Sequence, residues 1–372
     1  MKLLIVSKAF VIGAYRRKLD ELATLGIEVV AVVPPEWREG RSVQRLEPRD
    51  DANYRLIVSP VQFNGHFHLH YYPHLGDIIQ QVRPDLIHLD EEPFNLATFL
   101  GAALARRAGI RSVFFTWQNI QRRYPFPFSD MERAVYRWAA CALAGSEDAA
   151  RVLRHKGYQG ELTVVPQFGV DPEVFRPGEP HEGPFTVGFP NRLIAAKAPL
   201  LALEALSHLT PDARLAYLGD GPLRKTIEER VALRGWQDRV CIEARVSSAQ
   251  MPARMRGFDV VVLPSLTTPS WKEQFGRVLI EAMASSVPVV GSDSGEIPQV
   301  IGDAGLIVPE GDPTALGEAL RRLELDPELR RDLGRKGRAR VLEHYTHERV
   351  ARSTRYAYER ALVERGMALN GS

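Results

Sequence analysis

The sequence predicts an α/β protein of two doubly wound parallel sheets, on three observations. Short apolar runs alternate with helix-length amphipathic stretches through both halves of the chain, as repeated strand–helix–strand units require. The apolar runs are near-continuous rather than alternating, as in Glu28–Val33 and Phe258–Pro264, which suits strands covered on both faces. Glycine follows several helical stretches, as Gly26 and Gly109 do, where a left-handed residue ends a helix at least steric cost.

Taken in order, Leu3–Val6 is the first strand, Ser7–Ala14 a loop holding Gly13, Tyr15–Leu25 a helix and Glu28–Val33 the second strand. Pro34–Asp51 is polar and reads as a surface excursion. Leu56–Val61 and Phe67–Tyr72 are strand candidates, followed by strand Asp85–His88, helix Asn95–Arg107 and strand Val113–Phe115. Helix Asp130–Ala140, strand Ala142–Ala144, helix Glu147–His155 and strand Thr163–Val165 complete the first half. The proline-rich stretch Pro166–Pro184 reads as an interdomain linker. The second half alternates again: strand Phe185–Phe189, helix Leu200–His208, strand Arg214–Leu218, helix Leu223–Leu233, strand Val240–Ile242 and helix Ala249–Arg256. After Phe258–Pro264 and a helix opening at Gly276 come strand Val289–Gly291, helix Glu296–Ile301 and strand Leu306–Val308. Helices around Thr314–Arg322, Glu328–His344 and Glu348–Arg365 follow. The expected domains are residues 1–170, residues 171–345 and a helical segment, 346–372, that packs back on the first domain.

The chain has 372 residues, 45% apolar and 25% charged, with a net charge of +2. That is the composition of a soluble globular protein of about two domains, without the strongly basic balance of a nucleic-acid binder. Cys141 and Cys241 both fall in apolar segments expected to be buried, one in each half. They make no disulfide framework, and a cytoplasmic location is expected. Leu3–Val6 is too short for a signal-peptide core, and no apolar run reaches spanning length.

The most informative stretch runs from Glu273 to Glu281. A carboxylate, a glycine and a helix start follow a buried strand, the usual ligand edge of an open α/β sheet. Backbone N–H groups at such a start favour anions. Glu273 lies above the strands, and Glu281 lies about two helical turns further on. Solvated surface carboxylates are the alternative. Arg192 and Lys197 follow the first strand of the second half, on the loop entering a helix that starts near Pro199, where they can face phosphate.

These residues occur together with Leu218-Gly-Asp-Gly-Pro222, Gly295-Glu-Ile-Pro298 and Val165-Pro-Gln-Phe-Gly-Val-Asp171 in one order. In this the chain resembles retaining glycosyltransferase family 4, whose fold is GT-B: two Rossmann-like domains facing a cleft, with a C-terminal helix returning to the first. The resemblance departs from the family pattern at Asn191, Ala198, Glu296 and Gln118, the last standing where the family commonly has an active-site histidine.

The resemblance implies a retaining transfer of sugar from a nucleoside-diphosphate sugar to a hydroxyl of a glycan, lipid or small molecule. It implies no metal and no cofactor beyond that substrate. By this likeness Arg192, Lys197 and Glu273 carry the chemistry. Gly13, Gly219, Phe275, Gly276, Arg277, Val278 and Glu281 complete the donor site, with Glu281 on the ribose. His88, Gln118, Asn119 and Ser146 fall on the acceptor side. A sugar-nucleotide epimerase or phosphorylase on the same fold, and a degenerate sugar-nucleotide-binding module, are the alternatives. The base, sugar and acceptor are not specified by these motifs.

Three further signals remain. His66, His68 and His70 would share one face if Phe67–Tyr72 were a strand, with zinc as the minor reading. Asp90-Glu91-Glu92 after a strand reads as an acceptor-cleft rim, or else as metal-binding carboxylates. Residues 106 to 137 carry seven arginines against two acids, interleaved with Trp117, Tyr124, Phe126, Phe128, Tyr136 and Trp138. Such a stretch suits peripheral contact with an anionic membrane on its cytoplasmic face, or a lipid-phosphate acceptor, and equally a core with a solvated basic rim.

Overall fold

The computed structural model describes residues 1–40, 42–48, 52–179, 183–244 and 246–363. The chain divides into two compact units, residues 1–169 with the segment from His347 onward, and Val170–Thr346. Both are α/β, with every pairing in their main sheets parallel.

The first unit runs β1 (Lys2–Val6), α1 (Arg17–Thr24), β2 (Glu28–Val33), β3 (Glu36–Glu39), β4 (Ser42–Arg45), β5 (Arg55–Val58), α2 (Leu75–Val82), β6 (Leu86–Leu89), α3 (Leu96–Arg107), β7 (Arg111–Thr116), α4 (Phe128–Trp138), β8 (Cys141–Ala144), α5 (Glu147–His155) and β9 (Glu161–Val164). Seven of these strands form the main sheet, in the order β5-β2-β1-β6-β7-β8-β9. Leu3, Leu4 and Ile5 have no solvent exposure, because successive side chains point to opposite faces and helices cover both.

Three expectations are corrected in this unit. The polar excursion after β2 holds a hairpin, β3 with β4. Residues 67–72 form turns rather than a strand, so the three histidines do not share a strand face. His66 is exposed, His68 half-buried and His70 fully buried. The helix α2 was not anticipated, although Leu75, Ile78, Ile79 and Val82 carry the i, i+3, i+4, i+7 spacing of a buried stripe and are all buried.

The second unit continues with β10 (Thr186–Phe189), α6 (Pro199–Ala205), β11 (Arg214–Leu218), α7 (Arg224–Leu233), β12 (Val240–Glu243), α8 (Met251–Met255), β13 (Val260–Leu263), α9 (Arg277–Ala284), β14 (Val289–Ser292), α10 (Ile297–Ile301), β15 (Leu306–Val308), α11 (Pro313–Leu325) and α12 (Pro327–His344). The strand order is β12-β11-β10-β13-β14-β15. The winding therefore reverses between β10 and β13, and a crevice opens at their carboxyl ends. Phe189, Leu203, Tyr217 and Val260 fill the core beneath it, with the Tyr217 hydroxyl donating to the Pro199 carbonyl at 2.7 Å.

The stretch read as a linker belongs largely to this unit. Val170 N–H donates to the Tyr345 carbonyl at 2.9 Å, Phe175 is buried, and Arg338 reaches the carbonyls of Phe175 and Ala284. Residues 180–182 of that stretch lie outside the described residues. Cys241 is exposed, not buried, because β12 is an edge strand and its alternate side chains face out.

The last helix, α13 (His347–Val363), is part of the first unit. Val350, Ala351, Ala357, Tyr358 and Ala361 are buried in one cluster with Leu3, Ile5, Val113 and Leu143 of that sheet. Arg355 donates to the Leu25 carbonyl at the end of α1 at 2.8 Å. Residues 364–365 of the expected helix lie outside the described residues.

Candidate active site

The crevice of the second unit is built by two loops, Asn191–Ala198 after β10 and Ser265–Gly276 after β13. They meet through side chains. Lys197 Nζ is ion-paired with Glu273 Oε2, and Ser265 Oγ donates to the same oxygen at 2.7 Å. Lys197 Nζ also lies 5.2 Å from the centre of the Trp271 ring. The Leu266 N–H donates to the Ala196 carbonyl at 2.9 Å, locking one loop to the other. Ser265 and Glu273 are both buried, so this cation, carboxylate and hydroxyl sit in a medium where charge acts strongly.

Glycines allow the loops to approach this closely. A Cβ on Gly295 would lie 2.0 Å from the Glu273 carbonyl oxygen, and one on Gly219 would lie 2.2 Å from the Asn191 carbonyl oxygen. Gly295 further holds a positive φ of 54°, where a side chain is strained. Gly219 thus shapes the loop that carries Arg192. Arg192 itself is exposed and makes no ion pair among the described residues.

Gly276 enters α9, an eight-residue helix, at φ 80° and supplies no side-chain cap, at an end where the helix dipole favours anions. Phe275 and Val278 flank that start and are buried. On the helix, Arg277 Nε and Glu281 Oε1 are 2.8 Å apart. Burial pushes the Glu281 carboxyl up, opposed by Arg277. The helix after Lys197 contributes less than the sequence suggests. α6 has only seven residues, and its first position is Pro199, which has no N–H to offer.

The first unit has an equivalent reversal between β1 and β6, and a lysine and a glutamate meet there too. Lys8 Nζ is ion-paired with Glu91 Oε2, and His70 Nε2 is 3.5 Å from Glu91 Oε1. Burial raises Glu91, but Lys8 and His70 outweigh it and hold the carboxyl at about 2. Its neighbours behave oppositely. Gln167 Nε2 donates to Asp90 Oδ2 at 2.8 Å, and Trp117 N–H donates to Glu92 Oε1 at 2.8 Å. Burial nevertheless pushes Asp90 up to about 6 and Glu92 up to about 7.

The acceptor-side candidates divide. Gln118 and Asn119 are mostly buried just past β7. Gln118 accepts from Lys156 Nζ at 3.1 Å and donates to the Tyr124 hydroxyl at 3.3 Å, and Lys156 is ion-paired with Glu132. His88 lies in the core with no exposure, its Nδ1 2.7 Å from the Tyr358 hydroxyl on α13, and burial lowers its pKa. Ser146 caps α5 by accepting from Ala149 N–H at 3.1 Å. Each thus has its hydrogen-bond partner within the first unit. Gly13 is the one donor-side candidate outside the second unit. It belongs to the first unit, and its N–H donates to Glu47 Oε2 at 2.6 Å. Ser265, Trp271, Lys156 and Glu132 were missed, because a lone serine or tryptophan carries no motif and a lysine–glutamate pair 24 residues apart has no local signature.

Raised carboxyl pKa values make stability depend on pH. Asp90 and Glu92 start from 3.8 and 4.5 and end at about 6 and about 7 when folded. The folded unit therefore holds more protons than the unfolded chain between about pH 4 and 7. Stability from these groups is full below that window and is lost as pH rises through it. Glu92→Gln should flatten the fall in Tm between pH 5 and 7.5. An unchanged profile assigns the slope to other groups.

Comparison with known proteins gives two family matches. Residues 13–167 match the glycosyl transferase 4-like domain, and residues 170–340 match glycosyl transferases group 1. The chain is 30% identical over 264 residues to the MMP alpha-(1->4)-mannosyltransferase of Mycolicibacterium hassiacum, covering 66% of this chain and 60% of that protein. It is 30% identical over 241 residues to the D-inositol 3-phosphate glycosyltransferase of Streptomyces bingchenggensis, covering 58% and 51%. The matched stretch thus spans less than two thirds of either relative. Among solved structures, Anabaena Alr3699/HepE in complex with UDP superposes with a TM-score of 0.75 at 16% identity, covering 96% of this chain and 100% of that one. Sucrose-phosphate synthase from Thermosynechococcus elongatus gives 0.72 at 20% identity, covering 96% and 98%. These likenesses fix the fold as GT-B.

Proposed function

The chain belongs to the group 1 glycosyl transferases, and from that premise we propose that it moves a sugar from a nucleoside-diphosphate sugar to an acceptor hydroxyl, with retention and without a metal ion. The observation that carries this reading is the buried Lys197–Glu273–Ser265 network at the winding reversal of the second unit. Beside it in sequence stand an exposed arginine, Arg192, and the start of α9 at Gly276. These groups suit a diphosphate and a sugar. The Arg277–Glu281 pair suits a ribose, whose hydroxyls a carboxylate can accept.

In the transfer, the bond from the anomeric carbon to the phosphate oxygen breaks and its electron pair leaves with the diphosphate. The acceptor oxygen bonds to the same face of that carbon, and its proton passes to the departing diphosphate. No enzymic nucleophile is required. Lys197 and Arg192 would stabilise the growing negative charge, each by about 3 kcal/mol if preorganised. Glu273, fixed by Lys197 and Ser265, would accept from hydroxyls of the donor sugar.

A thermal-shift screen of UDP, GDP, ADP and dTDP sugars tests donor binding, since a ligand of the native state raises Tm. One base should stand out, and nucleotide diphosphate should then be released at an undiminished rate in EDTA. A rate abolished by EDTA and restored by Mg²⁺ or Mn²⁺ would refute metal independence while leaving the transferase reading standing.

A further inference from the structure

The first unit carries a surface that the transfer chemistry does not use. Two loops lie at the carboxyl end of its sheet, residues 59–74 after β5 and residues 117–127 after β7. They are held together around His68, whose ring centre is 5.4 Å from those of Phe94 and Phe128 and 5.7 Å from that of Tyr124. The first loop is pinned at its base by the Gln62–Tyr71 bridge, and the His68 carbonyl accepts from Leu96 N–H at 3.0 Å. Neither loop is therefore a loose strand of chain.

What the two loops present outward is aromatic. The chain has fifteen phenylalanines, and three are exposed: Phe63 at 56%, Phe67 at 44% and Phe126 at 80%. All three sit on these loops, so their exposure is concentrated and not scattered. Phe63 also holds a φ of 52°, a left-handed backbone that a bulky residue rarely adopts. Leu69 adds a fourth exposed apolar side chain.

The two loops themselves carry charge of one sign. No aspartate or glutamate occurs from residue 59 to 76 or from residue 93 to 129. Arg122 and Arg123 are both exposed beside Phe126, and Arg123 makes no ion pair among the described residues. Rings without hydrogen-bonding groups, on loops that carry arginines and no carboxylates, match the interface of an anionic bilayer, where rings enter the acyl boundary and cations meet headgroups. A second copy of the chain would set like charges against each other across a two-fold contact.

We propose that Phe63, Phe67 and Phe126, with Arg122 and Arg123, dock this unit peripherally on a lipid surface bearing anionic headgroups. The inference goes beyond the transfer reaction and does not depend on it.

Flotation of the full chain with phosphatidylcholine vesicles, with and without phosphatidylglycerol, tests this. Binding should require phosphatidylglycerol and weaken in high salt. Changing Arg122 and Arg123 together to serine should lower partitioning ~30-fold, at about 1 kcal/mol per charge. Phe126→Ser should lower it ~10-fold at constant charge, with Tm unchanged because the ring is exposed. Absence of binding to anionic vesicles, or binding indifferent to both variants, would overturn the proposal. So would a dimer in size-exclusion chromatography that Phe126→Ser disperses, or equal binding to neutral vesicles.

Discussion

Lys197→Ala should lower kcat by roughly two orders of magnitude, the usual loss when one preorganised charge partner of a transition state is removed. The structure adds a second effect. Lys197 is the cation against the buried Glu273, so its removal leaves a carboxylate held by Ser265 with its ion pair gone. Breaking a buried pair from one side destabilises by about 3 kcal/mol, and the Tm of the second unit should fall with activity. Arg192→Ala separates the two effects. Arg192 is exposed and unpaired among the described residues, so its loss should reduce turnover and leave Tm in place. The double variant Lys197→Ala/Glu273→Ala should regain part of the stability lost by Lys197→Ala alone, since neither charge is then orphaned. Additive losses of stability would show that the ion pair contributes nothing.

Gly295→Ala should be the most damaging single methyl group in the second unit. The added carbon would lie 2.0 Å from the Glu273 carbonyl oxygen, and that atom is backbone, which cannot rotate aside. The Glu296 N–H donates to the same carbonyl at 3.3 Å, so displacement would disturb the link between the β14–α10 turn and the Glu273 loop. A left-handed alanine costs about 1–2 kcal/mol, and overpacking adds a similar amount. A total of about 3 kcal/mol corresponds to a Tm lower by roughly 10 °C in a unit of this size. Donor binding should weaken too, because the loop that moves carries Glu273. A variant with wild-type Tm and donor affinity would mean that the turn relaxes without cost.

Much of this was legible in the sequence, for a physical reason. Strands such as Arg214–Leu218 and helices such as Glu147–His155 carry their own period and caps, so local pattern and tertiary packing agree. Glu273, Lys197 and Arg277 were visible because short motifs beside strand ends hold them. Glu273 with Lys197 is different in kind. The two are 76 residues apart and meet only because β10 and β13 are neighbours in the sheet, which the chain order conceals. The same applies to Gln118, whose partner Lys156 arrives from the far end of α5. His88 stands at a strand end like a ligand, while the structure sets it in the core against Tyr358, 270 residues away. Long-range partners decide whether a polar side chain serves a site or a core. Spacing alone does not report them.

The placement of α13 in the first unit bears on how the chain is made. Everything needed to close the second unit, Val170–Thr346, leaves the ribosome before α13 does. The first unit begins earlier yet finishes later. Until residues 347–363 emerge, the apolar face that receives Val350, Ala357 and Tyr358 stays uncovered, and His88 lacks its hydroxyl partner. The part of the protein synthesised first therefore waits longest for its native core, with a sticky face that a nascent chain exposes to its surroundings. Translation order and folding order run opposite ways in this molecule.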